Sequence, residues 1–274
     1  MQDNRLNAER IIHKELSYLV NGCVFDVHNE VGPGLREESY QKAMEVRLAE
    51  KGIPFVAKPA TRGELIYRGQ QVDLFEPDLI IANLLIPELK HHPEGFAPEN
   101  FAQLLCYLKF WQIRLGMLVN FAMDRAIIER VPYDPRDAPV DEDYEHIPAY
   151  IQSKHKTLLR AIRDGVLELH RVFGVGYPTT TCRKLAVVEW RANGLDCLDC
   201  VNVEPLFHER KLPRSNITPV VVEKHICVQV DAIYDAISAR AVRTMQTHLR
   251  LTDCDIGLIV SFGKTKLMLR GVGR

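Results

Sequence analysis

Residues 77–90 read PDLIIANLLIPELK. Apolar runs lie on either side of a turn around Ala82-Asn83-Leu84, the pattern of a buried β-hairpin. Three charged residues interrupt it, Asp78, Glu88 and Lys90. Alternate residues of a strand share a face, so Glu88 and Lys90 point the same way. If the turn is three residues long, Asp78 faces Glu88 across the hairpin. Two carboxylates so placed repel each other, and one pKa rises unless a cation is shared. Oxygen donors of this kind suit Mg2+ or Mn2+. The plainer alternative is a surface ion pair between Lys90 and one of the acids. Pro87 lacks an N–H and argues for an edge strand or a bulge here.

The same apolar pattern returns at 219–231 as PVVVEKHICVQVD, with different polar residues. Upstream, His13, Lys14, Leu16, Val24, His28, Gly32 and Gly34 recur 142 positions later as His155, Lys156, Leu158, Val166, His170, Gly174 and Gly176. Downstream, GMLVNF (116–121) returns as GLIVSF (257–262) at an offset of 141, which also aligns the two hairpins. One residue of drift is what a tandem duplication leaves. The Pro- and Asp-rich stretch 133–150 has no apolar period and reads as a linker between units 1–132 and 151–274.

Within the first unit, apolar positions at helical spacing predict a helix over 8–30, broken by VGPG. A second helix follows in REESYQKAMEVRLAEKG, stopped by Gly52. Short strands run from Phe55 to Lys90, then a helix in APENFAQLLCYLKFW and a buried strand in LGMLVNF. The chain is thus an α/β protein, each unit a mixed central sheet flanked by helices.

The second helix opens with GLREESY, in which Gly34, Glu37 and Tyr40 form G-x-x-E-x-x-Y. Together with Asp78, the ELK of 88–90, and Gln103 and Tyr107 one helical turn apart, this ordered set resembles the GxxExxY family of the PD-(D/E)XK nuclease superfamily. The resemblance spans about residues 8–132. It implies Asp78 and Glu88 as ligands of Mg2+ or Mn2+, Lys90 as the catalytic lysine, and Glu37 as an additional acid. Gln103 and Tyr107 would support the site, with Tyr40 completing the motif. The implied substrate is nucleic acid, DNA or RNA.

In the second unit Gly34 is kept as Gly176, and every one of the other positions has changed. Asp78 aligns with Pro219, Glu88 with Gln229, Lys90 with Asp231, Gln103 with Thr244, Tyr107 with His248, Glu37 with Thr179 and Tyr40 with Cys182. The apolar frame persists without the acids, so the second unit reads as a degenerate copy lacking a metal site. Its task would be scaffolding, pseudo-twofold pairing with the first unit, or substrate binding. Charge favours the last. Residues 1–150 hold 16 Lys and Arg against 24 Asp and Glu, whereas residues 151–274 hold 19 against 12. Arg183, Lys184, Arg210, Lys211, Arg214, Arg240, Arg243 and Arg250 would supply phosphate contacts, the plainer alternative being ordinary solvated charges. The alternative is a non-catalytic nucleic-acid- or protein-binding module on a nuclease-like fold.

Nothing suggests a secretory leader or a membrane span, and seven cysteines mostly in apolar runs fit reduced thiols in the cytoplasm. Cys197-Leu-Asp-Cys200 is a lone C-x-x-C without a second pair, and the glycines of VGPGL and FGVGYP lack phosphate-loop spacing. His91 and His92 adjoin Lys90 and read as solvent-exposed.

Overall fold

The computed structural model describes residues 12–58, 63–134, 138–232 and 236–274. The start of the first predicted helix, residues 8–11, lies outside the described residues. From Lys14 to Val31 the chain is helix α1, and Val20, Cys23, Val24 and Val27 form its buried stripe. Gly32 ends it at φ 74°, a conformation that costs glycine little. Helix α2 (Glu37–Glu50) buries Tyr40, Met44 and Leu48, four residues apart along one face.

The strands β1 (Phe55–Ala57), β4 (Leu79–Ile81), β5 (Leu85–Lys90), β6 (Leu115–Asn120) and β7 (Ile127–Pro132) form a five-stranded sheet in the order β1-β4-β5-β6-β7. Strands β2 (Gly63–Tyr67) and β3 (Gln70–Phe75) pair separately. All neighbours in the large sheet are antiparallel except β5 and β6. A parallel pair needs a crossover, which helix α3 (Pro98–Trp111) provides. α3 lies close on β6 because Gly116 has no side chain there. A Cβ on Gly116 would come within 2.8 Å of the Leu104 side chain.

The hairpin turn is three residues long, with Ile81 paired to Leu85. Pro87 sits on neither an edge nor a bulge, contrary to the sequence expectation. β5 is the middle strand, and Pro87 pairs in register with Met117 of β6. The cost of the missing N–H falls on the other side, where β4 and β5 share one register pair. The copy, with Val228 in place of proline, keeps three.

The second unit repeats the plan. Helix α4 (Ala149–Lys154) is short and leads into α5 (Lys156–Phe173) and α6 (Thr179–Ala192). The strands β9 (Cys197–Leu198), β14 (Val220–Val222), β15 (Ile226–Asp231), β16 (Ile256–Phe262) and β17 (Leu267–Gly273) correspond to β1, β4, β5, β6 and β7, and helix α7 (Ala239–Thr252) to α3. β15 and β16 again pair in parallel. The smaller pairs are β10 (Val201–Val203) with β13 (Ser215–Ile217) and β11 (Leu206–Phe207) with β12 (Arg210–Lys211). The turn after β14 repeats that after β4, with Glu223 and Lys224 at positive φ as are Ala82 and Asn83. Gly257 repeats Gly116, since a Cβ there would lie 2.5 Å from Met245 Cγ on α7.

Two features depart from the expected boundaries. Residues 140–143 of the expected linker form β8 (Val140–Asp143), which pairs in parallel with β17 and makes this sheet six-stranded. The apolar period that marks a strand is absent there because β8 is a half-exposed edge. Contacts also divide the chain unevenly. The first compact unit comprises the chain up to Leu65 and Leu74–Arg136, and the second comprises Ile66–Asp73 and Asp137–Arg274.

Candidate functional site

Asp78, Glu88 and Lys90 are not a surface ion pair. They are 4%, 2% and 8% exposed, respectively. Their placement follows from the hairpin. The register that pairs Ile81 with Leu85 sets Asp78 across from Glu88. Pro87 leaves β4 and β5 loosely laddered just there, so the Leu89 N–H, aimed at β4, donates to Asp78 Oδ2 at 2.7 Å. A carboxylate thus replaces the missing strand partner. On the facing strand Lys90 Nζ donates to Glu88 Oε1 at 2.9 Å.

Burial raises the Glu88 carboxyl from its ordinary 4.5 to about 7; the Asp78 charge adds to the rise and Lys90 opposes it. Lys58, one residue beyond β1, places its ammonium 2.8 Å from Asp78 Oδ1. Burial works against that ammonium, but the hydrogen bond to Asp78 and the charges of Asp78, Glu88 and Glu37 prevail and raise its pKa.

The arrangement fits a hard divalent cation. Glu88 Oε2 is buried without a hydrogen-bond partner. Asp78 Oδ1 already draws a positive group from the more exposed side. Two buried carboxylates, one with an orphan acceptor oxygen, form a hard-oxygen donor set with which Asp78 and Glu88 would hold Mg2+ or Mn2+.

The G-x-x-E-x-x-Y residues converge on His91. Gly34 N donates to His91 Nε2 at 3.3 Å. Glu37 Oε1 accepts from the His91 backbone N–H at 3.1 Å. The Tyr40 ring lies parallel to the His91 ring, centroids 6.0 Å apart, and stacks on Phe121 at 4.5 Å. The Tyr40 hydroxyl is committed to the loop, donating to Gly32 O at 2.9 Å and accepting from Leu35 N at 3.1 Å. Tyr40 therefore holds the loop and the end of β5 in place. His91, expected to be exposed, is half-buried in this cradle, while His92 is exposed.

On α3, Gln103 Nε2 donates to Tyr107 Oη at 2.9 Å, and Tyr107 Oη donates to Glu76 O at 3.4 Å. The pair braces the chain two residues before Asp78. Burial, then the charge of Glu88, pushes the Tyr107 hydroxyl well above its ordinary range. The structure thus brings Glu37, Asp78, Glu88, Lys90, Gln103 and Tyr107 to one end of β5.

Sequence reasoning missed two contributors. Lys58 becomes visible only once β1 is known to pair with β4, because Lys58 then extends the Ala57–Leu79 pair toward Asp78. Asn120, fully buried beside Lys90 on β6, donates to His92 O at 2.7 Å and accepts from His92 N at 3.1 Å. An asparagine closing an apolar strand run was the available signal.

The second unit supplies an internal comparison. Gln229 Nε2 donates to Asp231 Oδ1 at 3.0 Å, the place of the Glu88–Lys90 contact with charge types changed. Thr218 Oγ1 donates to Gln229 Oε1 at 3.0 Å, so the amide is satisfied. Burial raises the Asp231 carboxyl. Thr179 Oγ1 accepts from Ala232 N at 3.0 Å, as Glu37 does from His91 N. The backbone contact of Glu37 therefore does not require an acid.

Fold and site define a tandem of nuclease-like α/β units, the first with two buried carboxylates at its central hairpin and the second with a Gln229–Asp231 pair there. Residues 14–131 and 156–273 each match the family model of the PD-(D/E)XK nuclease superfamily, and the chain belongs to that superfamily. Comparison with curated proteins and with solved structures found no match. Among the described residues no helix is long and apolar enough to cross a membrane.

Proposed function

We propose that the first unit is a divalent-metal-dependent phosphodiesterase acting on nucleic acid, of the GxxExxY kind, and that the second unit scaffolds it or binds substrate. The observation that carries this reading is the buried Asp78–Glu88 pair with its unpartnered Glu88 Oε2, set against the satisfied Gln229–Asp231 pair in the copy. The same hairpin folds without two acids. Burying ionised carboxylates costs several kcal/mol each unless they are compensated. A fold that keeps them in one copy uses them for something other than folding.

Asp78 and Glu88 would hold Mg2+ or Mn2+. Such an ion lowers the pKa of a bound water and neutralises charge growing on the phosphate. Lys90, held at Glu88, would orient the attacking water or stabilise the transition-state anion. Glu37 adds an acid at the rim, and Gln103, Tyr107 and Tyr40 position the strand and loop that carry the others. The free thiols suit a reducing compartment such as the cytoplasm.

Calorimetric titration of Mn2+ and Mg2+ into wild type and Asp78→Ala/Glu88→Ala, followed by cleavage assays on DNA and RNA, tests the reading. Wild type should bind the ion and cleave, and the double variant and Lys90→Ala should lose cleavage while staying folded. Nucleic-acid binding that needs no metal and survives all three substitutions, without cleavage by wild type, would favour the binding-module alternative.

A further inference from the structure

The second unit carries a group of potential metal ligands far from its Gln229–Asp231 pair. His155 stands at the start of α5, His225 in the turn between β14 and β15, and Asp255 just before β16. One donor atom from each lies within 4.8 Å of the others. His155 Nε2 is 2.7 Å and His225 Nδ1 3.7 Å from Asp255 Oδ2. The two imidazole centroids are 4.9 Å apart. This is the one group of three such residues among those described. It sits at the opening end of β15, whereas Gln229 and Asp231 lie toward its other end.

We propose that His155, His225 and Asp255 form a binding site for a zinc-class divalent cation. The donor set, two imidazoles and a carboxylate, is one that zinc accepts, leaving a fourth position for water. Tetrahedral ligands about 2.0–2.2 Å from a zinc ion lie roughly 3.3–3.6 Å from one another. The two separations from Asp255 Oδ2 bracket that span, and the two histidine donors lie within 4.8 Å of each other. The backbone prepares the site, since Asp255 N and Ile256 N both donate to His225 O, at 2.9 and 3.3 Å. His155 is 6% exposed and its ring has little freedom.

Positive charge is already drawn to the place. The Lys154 ammonium is 3.1 Å from Asp255 Oδ2. Lys154 is a long, mostly exposed side chain and can withdraw when a cation enters. The first unit lacks the set. His155 corresponds to His13, but His225 corresponds to Leu84 and Asp255 to Arg114. The shared histidine belongs to the common frame; the two further donors exist only in the copy that lost the acidic pair. The cation would tie the start of α5, a hairpin turn and the start of β16 together.

The test uses the full chain stripped with a chelator, titrated with Zn2+ by calorimetry and with Co2+ by absorption. Wild type should bind one more zinc ion than His225→Ala, or bind it at least about 100-fold more tightly, since losing a direct ligand exceeds the loss from an outer partner. His225 is half-exposed in a turn, so its substitution spares the core. Asp255→Asn, which keeps the shape of the acid, should weaken binding as well. Cobalt should give visible bands without thiolate charge transfer. Absence of zinc binding, equal binding by His225→Ala, or thiolate bands that place the ion at Cys197 and Cys200 would each overturn the proposal.

Discussion

Replacing Glu88 with glutamine should stabilise the cation-free protein at alkaline pH and hardly change it in acid. Glutamine is the neutral shape of a protonated Glu88, so the substitution removes the cost of ionising that carboxyl where it is buried. The folded pKa is raised from 4.5 to about 7. A carboxyl that holds its proton more tightly in the folded state destabilises the fold as pH rises from about 4.5 through 7, and the loss persists above 7. At 1.36 kcal/mol per unit the cost reaches about 3 kcal/mol at pH 8 and is under about 1 kcal/mol at pH 5. Glu88 is 2% exposed, so solvent screening takes little from this figure.

The assay is urea unfolding in chelator at pH 5, 6, 7 and 8, followed by tryptophan fluorescence. The chain has two tryptophans, Trp111 in the first unit and Trp190 in the second. A Trp190→Phe background in both arms makes the signal report the first unit, and its own cost cancels. Glu88→Gln should raise the midpoint at pH 8 by at least about 1 M urea. Added Mg2+ should stabilise wild type by mass action and leave the variant unmoved. A variant no more stable than wild type at pH 8, or a gap that widens toward pH 5, would refute the reasoning.

Tyr40→Phe deletes the donor to Gly32 O and the acceptor of Leu35 N, and should cost about 1–3 kcal/mol, read as a lower Tm, while cation binding survives. If cation binding were lost with the fold intact, Tyr40 would belong to the site itself. Gly116→Ala and Gly257→Ala should each cost about 1–3 kcal/mol in chemical unfolding, because the new methyl group meets Leu104 or Met245 of the crossover helix. Equal stability of either variant with wild type would show that its helix can retreat from the sheet.

The sequence by itself determined the duplication, the α/β class and the residues at which the two copies differ. Periodicity and a nearly constant offset are properties of the chain order, and burial of one face enforces them in each copy. The hairpin acids could be brought together on paper because strand geometry is fixed at two residues per repeat and the turn was three residues long.

Tertiary structure decided the rest. Pro87 read as an edge signal because the sequence does not say which side of a strand its missing N–H faces. The fold turns that gap toward β4, where Asp78 accepts the next N–H on the same side, from Leu89. Lys58 is twenty residues from Asp78 and reaches it only through the β1–β4 pairing. By sequence His91 reads as solvent-exposed, and only the fold closes Gly34, Glu37 and Tyr40 on it. The histidines and aspartate at 155, 225 and 255 belong to no local motif. Their proximity follows from a helix start, a turn and a strand start sharing one end of a sheet. Local periodicity encodes which face is buried; which distant side chains meet there depends on strand order and register.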